Sequence, residues 1–366
     1  MGKRELLLIA VFVIAGVVVW QVTAPASDPN KPGFSLQRFL NSVRTELAGQ
    51  RVEVSLERSA TAPVPPVVGR LVLADYRGAI TLVGEDRDDV TALLKGTAFG
   101  AEPPETQAIA DKITLALKQD GADVILLIGR PETRRRPRLQ LEVKVPRRLA
   151  ARLDVQGERV EVRQIAAVDA NLRFASSKVS DIAGEVKVEQ RDGRLEITKA
   201  GSVGLLTRRT EVRVEQVAGR ARIEATDDRV TLRTVSGPAS LETRRVEVEA
   251  EGLGADLAAT LVDGTFSARN VTGPITIESQ RCRVALTVDG RSPIGIVAGD
   301  APVDIAFPET ARVTLDLEQL DGEIRLPSDS GVTVTSEEGH QTARGAIRGG
   351  GPLVKVRARQ GGITIR

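Results

Sequence analysis

The sequence predicts an all-β fold, a single-chain β-solenoid in which each coil takes up about 17–19 positions of the chain. Small residues recur with spacings of 17, 17, 18, 18, 17, 19 and 17 in the numbering: Ala167, Gly184, Gly201, Gly219, Gly237, Gly254, Gly273 and Gly290. A period of this size is typical of repeat proteins in which each repeat stacks on the one before. Apolar residues follow the small residue at the second, fourth, eleventh and thirteenth positions, as Val203, Leu205, Val212 and Val214 follow Gly201. Two alternating runs per repeat indicate two short strands, each with one buried face.

The length of the repeat limits what each coil can contain. About 18 residues at roughly 3.3 Å each are enough for two strands and their corners, so the interior must be narrow. We expect Val, Ile, Leu and Ala to fill it and to leave no ligand cavity. The recurring glycines are expected at corners that need a positive φ or a close backbone approach, with Asp192-Gly193 and Asp263-Gly264 as second corners. Val246 and Val248 follow Gly237 at the ninth and eleventh positions, which indicates a shortened corner in that coil.

The composition argues against several classes of function. Aromatic residues make up only 2% of the chain, whereas small-molecule pockets and base-stacking surfaces rely on aromatic rings. Lysine and arginine number 51 against 49 aspartates and glutamates, and this net charge of +2 does not indicate nucleic-acid binding. The outward charges stack instead: the twelfth position of successive repeats holds Glu196, Arg213 and Thr231, and opposite charges one strand apart stabilise the register.

Cysteine and histidine are too scarce to build a site together. The chain has one of each, Cys282 and His340, so an intrachain disulfide and a multi-ligand Cys/His metal site are impossible. We expect no metal and no cofactor. Cys282 precedes Val284 by two residues in the alternation of core positions, which predicts a buried and unreactive thiol. His340 falls in a polar loop, where a lone exposed histidine is far more often incidental than catalytic.

The first 27 residues are predicted to anchor the chain in a membrane. Lys3 and Arg4 precede an unbroken apolar run from Leu6 to Trp20, extended by Val22, which is near the lower limit for a spanning helix. The pattern predicts a single-pass anchor in the bacterial cytoplasmic membrane, with the N-terminus inside and the β-domain outside. The alternative is a cleaved signal peptide, because Ala24-Pro25-Ala26 has the small-x-small form of a cleavage site.

Residues 28–66 are predicted to be a juxtamembrane segment in three parts. Ser35 can cap a short amphipathic helix that ends before Gly49 and either rests on the bilayer or packs on the first coil. Arg51–Leu56 alternates as a strand. Thr61–Pro66 is typical of a stiff, proline-rich linker.

Residues 67–150 are predicted to form a β-rich cap, and residues 151–366 the repeats proper. The cap should contain two strands around a tight turn at Arg77-Gly78, helical turns between Glu105 and Lys112, a hairpin around Asp120-Gly121, and a strand over Leu139–Val145. The even spacing is lost after Gly290, so the number of coils within 301–320 stays open.

Several of these segments resemble one bacterial family. The stretch Arg77–Leu82, the step Val143–Pro146 into the coils, the recurring valine-x-glycine corners and the closing Gly361–Ile365 look like those of the bacterial "putative adhesin", or toast-rack, β-strand-repeat proteins. The resemblance spans about residues 67–366. It implies a toast-rack β-helix in an envelope protein with one N-terminal membrane segment. The family has no settled function and no catalytic motif to carry over.

The densest run of cations is the candidate surface for an anionic partner. It comprises Arg134, Arg135, Arg136, Arg138, Arg147, Arg148 and Arg152. An anionic envelope polymer or lipid headgroups would suit it. The alternative is a solvated loop and edge, because Glu132, Glu142 and Asp154 interleave with the arginines. The acidic turn Asp86–Asp89 is a second charged feature, but it lacks the glycine-spaced ligand loop of a calcium site.

Together these features predict a membrane-anchored, extracytoplasmic β-solenoid that acts as a non-enzymatic scaffold or adhesin-like binding protein of the bacterial cell envelope. The expected partners are the lipid bilayer, through residues 6–22, and an envelope polymer or another envelope protein; nucleic acid is not expected. Two alternatives stay open. One is a polysaccharide-acting β-helix enzyme, against which the short coils argue, and the other is a polymer-forming cytoskeletal β-helix, against which the anchor argues.

Overall fold

The computed structural model describes residues 52–131 and 136–366, most of which lie in the 23 strands of one sheet. The predicted all-β class is confirmed. The predicted membrane anchor and juxtamembrane amphipathic helix lie outside the described residues. Within the described part there is one α-helix, α1 (Pro103–Asp111), and no helix has the length and apolar character needed to cross a membrane.

The strands are numbered in chain order, and most of their pairings are parallel. Their bounds are β1 (Val52–Pro63), β2 (Arg70–Arg77), β3 (Ala79–Glu85), β4 (Asp89–Gly100), β5 (Thr114–Asp120), β6 (Asp123–Gly129), β7 (Arg138–Pro146), β8 (Ala150–Gln156), β9 (Arg159–Arg163), β10 (Ala167–Val217), β11 (Ala221–Thr226), β12 (Arg229–Val235), β13 (Ala239–Leu253), β14 (Leu257–Val271), β15 (Ile275–Thr287), β16 (Ile294–Asp300), β17 (Val303–Ala306), β18 (Val313–Leu320), β19 (Ile324–Arg325), β20 (Val334–Glu337), β21 (His340–Ile347), β22 (Leu353–Gln360) and β23 (Ile363–Ile365). The long strand β10 passes through several corners without a break.

Each turn of the chain supplies one strand to each of two parallel rows, here called row A and row B. In row A, Val203 of β10 lies opposite Ala221 of β11, which lies opposite Ala239 of β13 and then Leu257 of β14. Every step in this register advances the numbering by the same amount, from 203 to 221, 239 and 257. In row B, β10, β12 and β13 follow one another with the same offset. The period of the sequence is therefore the length of one turn.

The two rows face each other across a narrow apolar core. In the repeat after Gly201, the four predicted inward residues Val203, Leu205, Val212 and Val214 are each 4% exposed or less. Arg213 lies between two of them and is exposed. Burial at alternate residues confirms two short strands per repeat, each with one face in the core.

Left-handed residues form the corners between the rows. One residue per turn between row A and row B has φ from 51° to 60°: Phe174, Asp192, Arg209, Asp227, Arg245, Asp263 and Arg281, here called the corner column. A second series ends the row B strands, with φ from 55° to 71°: Gln164, Asp181, Lys199, Gln216, Thr234, Gly252 and Asn270. The predicted corners at Asp192-Gly193 and Asp263-Gly264 are confirmed.

The recurring glycines allow close backbone approach between turns. A Cβ at Gly273 would lie 2.3 Å from the carbonyl carbon of Ala255, and one at Gly237 would lie 2.5 Å from that of Gly219. These distances are far below van der Waals contact, so another residue would fit only if the backbone shifted. Ala255, and not Gly254, holds the equivalent position in its turn, because it lies midway between Gly237 and Gly273 in the sequence.

The turn after Gly237 keeps the common register. Val248 lies opposite Val230 and therefore holds the eleventh position, while Ala250 holds the thirteenth and is also buried. The predicted shortened corner is wrong. Val246 is an additional buried residue, located where the chain leaves the corner.

The turns at both ends of the stack depart from chain order. At the N-terminal end, β6 and β7 lie outside β2 and β3, which pair in parallel with β8 and β9. At the C-terminal end, β22 and β23 insert between β16–β17 and β18–β19. The expectation that each coil of residues 151–366 stacks on the preceding one is therefore wrong at the C-terminal end. Antiparallel β4, β5 and β21 cover the last parallel strands, which protects edges that would otherwise pair with other chains.

Four local expectations before residue 150 have different outcomes. The helical segment and the β5–β6 hairpin, with Asp120 opposite Asp123, are confirmed. β2 and β3 do not pair with each other, because Gly78, at φ 150°, leads from row A into row B. β1 continues to Pro63, so the first residues of the predicted linker belong to a strand.

Candidate functional site

Ion pairs connect successive turns along the corner column. Arg209 donates two hydrogen bonds to the carboxylate of Asp192 on the preceding turn, with Nε–Oδ1 at 2.6 Å and Nη2–Oδ2 at 3.0 Å. The same contact recurs in Arg245–Asp227 (2.5 and 3.0 Å) and Arg281–Asp263 (2.7 and 3.2 Å). Hydrogen bonds from the arginines lower the pKa of all three aspartates. In the sequence, these pairs correspond to aspartate alternating with arginine at a separation of 17 or 18 positions. The pattern becomes visible once the corner positions are known.

A second set of ion pairs lies on the outer face of row B. It comprises Lys178–Glu196, Arg194–Glu211, Arg229–Glu247 and Arg283–Asp304, with N–O distances of 3.6, 2.7, 2.5 and 2.8 Å. Opposite charges therefore do pair between neighbouring turns, but Glu196 and Arg213 take other partners, Lys178 and Glu215. Exposed pairs contribute little individually. Together they occupy much of the charge on this face.

A groove with a volume of about 840 Å³ crosses the outer face of row A. The charged residues on its walls include Arg70, Asp123, Arg152, Asp169, Lys187 and Arg222. Arg70 donates hydrogen bonds of 3.0 and 2.8 Å to Asp123, and the contact lowers the pKa of that carboxyl. Leu206 also lines the groove and is 49% exposed, which adds apolar surface to it. An open groove with both signs of charge differs from the enclosed, apolar form of most small-molecule pockets.

The structure divides the predicted arginine patch among separate places. Arg134 and Arg135 lie outside the described residues. Arg136 and Arg138 line one groove with Arg77 and Lys95, Arg147 and Arg148 border a depression beside Glu85 and Asp86, and Arg152 lies in the row A groove. Arg138 and Arg147 stand at opposite ends of β7, which separates them by roughly 30 Å.

Two of these arginines make contacts that hold the fold together. The guanidinium of Arg148 donates hydrogen bonds to the carbonyl oxygens of Val68, at 2.6 Å, and Val64, at 2.9 Å. The guanidinium of Arg138 lies over the ring of Phe99, 5.7 Å from its centroid, within the range of a cation–π contact. Both side chains therefore have structural partners within the chain.

Arg87 organises the acidic turn between β3 and β4. Its guanidinium donates hydrogen bonds of 2.8 and 3.0 Å to Asp89, and they lower the pKa of that carboxyl. Glu85 lies 3.4 Å from the same guanidinium. Across residues 52–131 and 136–366, no three His, Cys, Asp or Glu side chains are grouped so that they could hold a metal ion.

Cys282 and His340 lie on different strands and in different environments. Cys282, on β15, is 2% exposed, and burial raises the pKa of its thiol to about 11. The predicted buried thiol is confirmed. His340 begins β21 instead of lying in a loop, and its Nε2 is 3.3 Å from Oε1 of Glu318.

Asp228 is a buried carboxyl that the repeat pattern does not predict. It is 8% exposed and accepts hydrogen bonds from the Thr207 hydroxyl, at 2.5 Å, and from the backbone N–H of Thr210, at 2.7 Å. Burial raises its pKa, because the ionised form is less stable away from water. Val246 and Cys282 hold the same place in later turns, so an aspartate here is an exception among inward residues.

Comparisons with known proteins give structural neighbours alone. No protein-family model and no curated protein matches the chain. A crystal structure of a putative cell adhesion protein from Clostridium sporogenes covers 85% of this chain and 99% of its own, at 10% identity and a TM-score of 0.20. Putative adhesins from Bacteroides fragilis and Parabacteroides distasonis each cover 85% of this chain and 96% and 97% of their own, at 11% and 12% identity and TM-scores of 0.26 and 0.27.

These TM-scores are too low to transfer a fold or an activity from one protein to the other. The chain is similar to bacterial proteins described as a putative cell adhesion protein and as putative adhesins.

Proposed function

We propose that this chain is a β-solenoid scaffold of the bacterial cell envelope that binds its partner through its outer faces and catalyses no reaction. The observation that carries the proposal is the constant register of row A, in which Val203, Ala221, Ala239 and Leu257 lie opposite one another in turn. Stacked repeats of this kind present extended, regularly spaced surfaces. Side chains on such a surface recur at the spacing of strands, about 4.8 Å.

The state of the reactive groups supports a non-enzymatic role. A nucleophilic cysteine needs its thiolate, whereas the buried thiol of Cys282 has a pKa of about 11. His340 faces Glu318 on another strand and has no nucleophile in that contact. The aspartates of the corner column are engaged by arginines on neighbouring turns. A scaffold needs no group with a pKa tuned for proton transfer.

The proposed cellular location follows from the N-terminal sequence. Lys3 and Arg4 before the apolar run Leu6–Trp20 favour an anchor in the cytoplasmic membrane, with residues 6–22 in the bilayer and the β-region outside. A reporter enzyme that is active only outside the cytoplasm, fused after Arg366, should be active, and protease added to spheroplasts should degrade the β-region. An inactive reporter fusion and a β-region fully protected from the protease would contradict this location. A shortened, soluble product would indicate a cleaved signal peptide.

The proposed partner is an envelope polymer or another envelope protein. The outer groove and the ion-paired faces suit a broad surface contact better than a small molecule. The purified full chain should retain envelope components in a pull-down and release no products from cell-wall glycan. Turnover of glycan by the purified chain would overturn the non-enzymatic proposal, and filaments formed by the chain alone would favour a cytoskeletal polymer.

A further inference from the structure

A row of arginines runs beside the corner column on the outer face of row A. The residues directly before the corner residues in successive turns are Arg173, Arg191, Arg208, Thr226, Arg244, Val262 and Gln280. Register places Arg208 opposite Thr226 and Thr226 opposite Arg244. Four of the first five positions are therefore arginine, and all four are exposed. We call Arg173, Arg191, Arg208 and Arg244 the arginine column.

The charges of the arginine column are little compensated. Arg173, Arg208 and Arg244 make no ion pair with a carboxylate of the described residues, and Arg191 has one exposed contact, with Glu189 at 3.1 Å. The neighbouring aspartates are unavailable, because Asp192, Asp227 and Asp263 are held by arginines of the corner column. The arginine column is therefore a line of cations that lies beside the ion-paired residues of the corner column.

The second series of corners shows that this is not a general property of the repeat. The residues directly before those corners include Glu215, Arg233, Glu251 and Arg269, which alternate in sign. Arg233 lies 3.8 Å from Glu215 of the preceding turn. Residues in the same position before a corner therefore have alternating charges in the second series of corners, whereas those beside the corner column are mostly arginine.

The spacing of the arginine column is set by the strands. Neighbouring strands lie about 4.8 Å apart, so Arg173, Arg191 and Arg208 follow one another at that step, and Arg244 lies two steps further. The column spans roughly 19 Å along the stack. Arginine pairs well with phosphate and carboxylate oxygens because its guanidinium is planar and offers several donors.

We propose that the arginine column binds a linear polyanion of the envelope laid along the stack axis. The inference rests on the proposed role as an envelope binding scaffold and names the ligand class and the site. A polymer with an anionic group in each unit can meet several arginines at once, and each contact adds to the others. A line of cations on a corner matches an extended chain better than the plane of a lipid surface.

Long-chain polyphosphate is a suitable probe, used with the full chain purified in detergent. One variant carries Arg173→Gln, Arg208→Gln and Arg244→Gln. A matched control carries Arg213→Gln, Arg233→Gln and Arg269→Gln, which removes the same charge from exposed positions on row B. We expect the column variant to lose about tenfold or more in affinity and its log–log salt slope to fall by about two, because counterions released by three contacts are lost. The control should stay within about threefold of the wild type.

Probe length gives a second readout that does not depend on variants. Triphosphate is too short to reach from Arg173 to Arg244, so it should bind the wild type much more weakly than long-chain polyphosphate and should bind the two variants alike. Equal losses in both variants would mean general attraction to net charge and would overturn the proposal. Affinity that does not depend on the length of the polyphosphate would also overturn the proposal. So would a result in which the arginine column is needed to bind anionic lipid vesicles and not to bind polyphosphate.

The outcome also separates this inference from the proposed function. If the column variant still retains envelope components in the pull-down as well as the wild type does, the arginine column is not the site, while the scaffold role stands. If the β-region proves to be cytoplasmic or turns over glycan, the proposed function fails whatever polyphosphate does. Thermal unfolding monitored by circular dichroism should show that both triple variants remain folded, which makes the comparison of affinities valid.

Discussion

Arg245 donates two hydrogen bonds to the carboxylate of Asp227, the corner residue 18 positions earlier on the preceding turn. The N–O distances are 2.5 and 3.0 Å, a bidentate geometry that specifies orientation as well as charge. Both residues have a positive φ, 54° for Arg245 and 60° for Asp227. The pair thus joins two strained corners of adjacent turns and marks their register.

Charge reversal tests whether this pair stabilises the stack. Asp227→Arg places a second cation beside Arg245 and should lower the melting temperature measured by circular dichroism. The double variant Asp227→Arg, Arg245→Asp restores opposite charges and should recover most of the loss. A double variant no more stable than the single one would show that the pair contributes nothing specific.

The same pair predicts a pH dependence with a definite sign. The hydrogen bond from Arg245 lowers the folded-state pKa of Asp227, so its stabilisation is present above the ordinary aspartate pKa and is lost as the pH falls through the folded value. Asp227→Asn should therefore be less stable than the wild type at neutral pH, and the two melting temperatures should converge in acid. A constant difference from pH 7 to pH 3 would contradict the assignment.

Inward and outward neighbours on one strand test the alternation of the core. Val214 has no exposure and lies opposite Leu232, whereas Arg213 is exposed. Val214→Asp buries an unpaired charge and should cost above about 4 kcal/mol of unfolding free energy, whereas Arg213→Asp should change it by about 0.5 kcal/mol. Denaturant unfolding of the two variants measures both values. Equally mild effects would mean that the strand faces are wrongly assigned.

The sequence predicts the parts of the fold that repeat locally. The alternation of Val212 and Val214 with charged residues needs nothing beyond strand periodicity, and both residues are buried as predicted. Some corners are harder to predict, because Arg209 and Arg245 adopt a positive φ that arginine does not favour. Their conformation is set by the stacking of neighbouring turns.

The order of turns at the ends and the charged surfaces depend on contacts distant in sequence. The placement of β22 between β16 and β18 follows from long-range pairing, which no local pattern encodes. Likewise, the basic run Arg134–Arg152 is continuous in sequence, yet its described arginines lie at separate places. Arg173 and Arg244 are far apart in sequence and share one column, because the register brings the same position of every turn to the same side.

Two glycines differ in the space that their surroundings leave for a Cβ atom. A Cβ at Gly273 would lie 2.3 Å from the carbonyl carbon of Ala255, whereas a Cβ at Gly204 would come no nearer than 4.0 Å to Glu185. Gly273→Ala should therefore lower the free energy of unfolding by about 1–3 kcal/mol, since the two turns must separate locally. Gly204→Ala should be neutral or stabilise by up to about 1 kcal/mol, because alanine restricts the unfolded chain. Denaturant unfolding that gave equal effects for the two variants would contradict the close approach.

Asp228 predicts a pH dependence opposite to that of Asp227. Burial raises its pKa in the folded state, so the ionised carboxyl destabilises the fold above that pKa, and the penalty disappears as the pH falls towards the ordinary aspartate value. Asp228→Asn keeps an oxygen that can accept the N–H of Thr210 and removes the buried charge. The variant should therefore melt at a higher temperature than the wild type at neutral pH, and its advantage should shrink in acid. Melting curves of Asp227→Asn and Asp228→Asn over the same pH range make the comparison, in which each variant controls for the loss of one negative charge. If Asp228→Asn were instead destabilised at neutral pH, the hydrogen bonds from Thr207 and Thr210 would outweigh the cost of burying the charge.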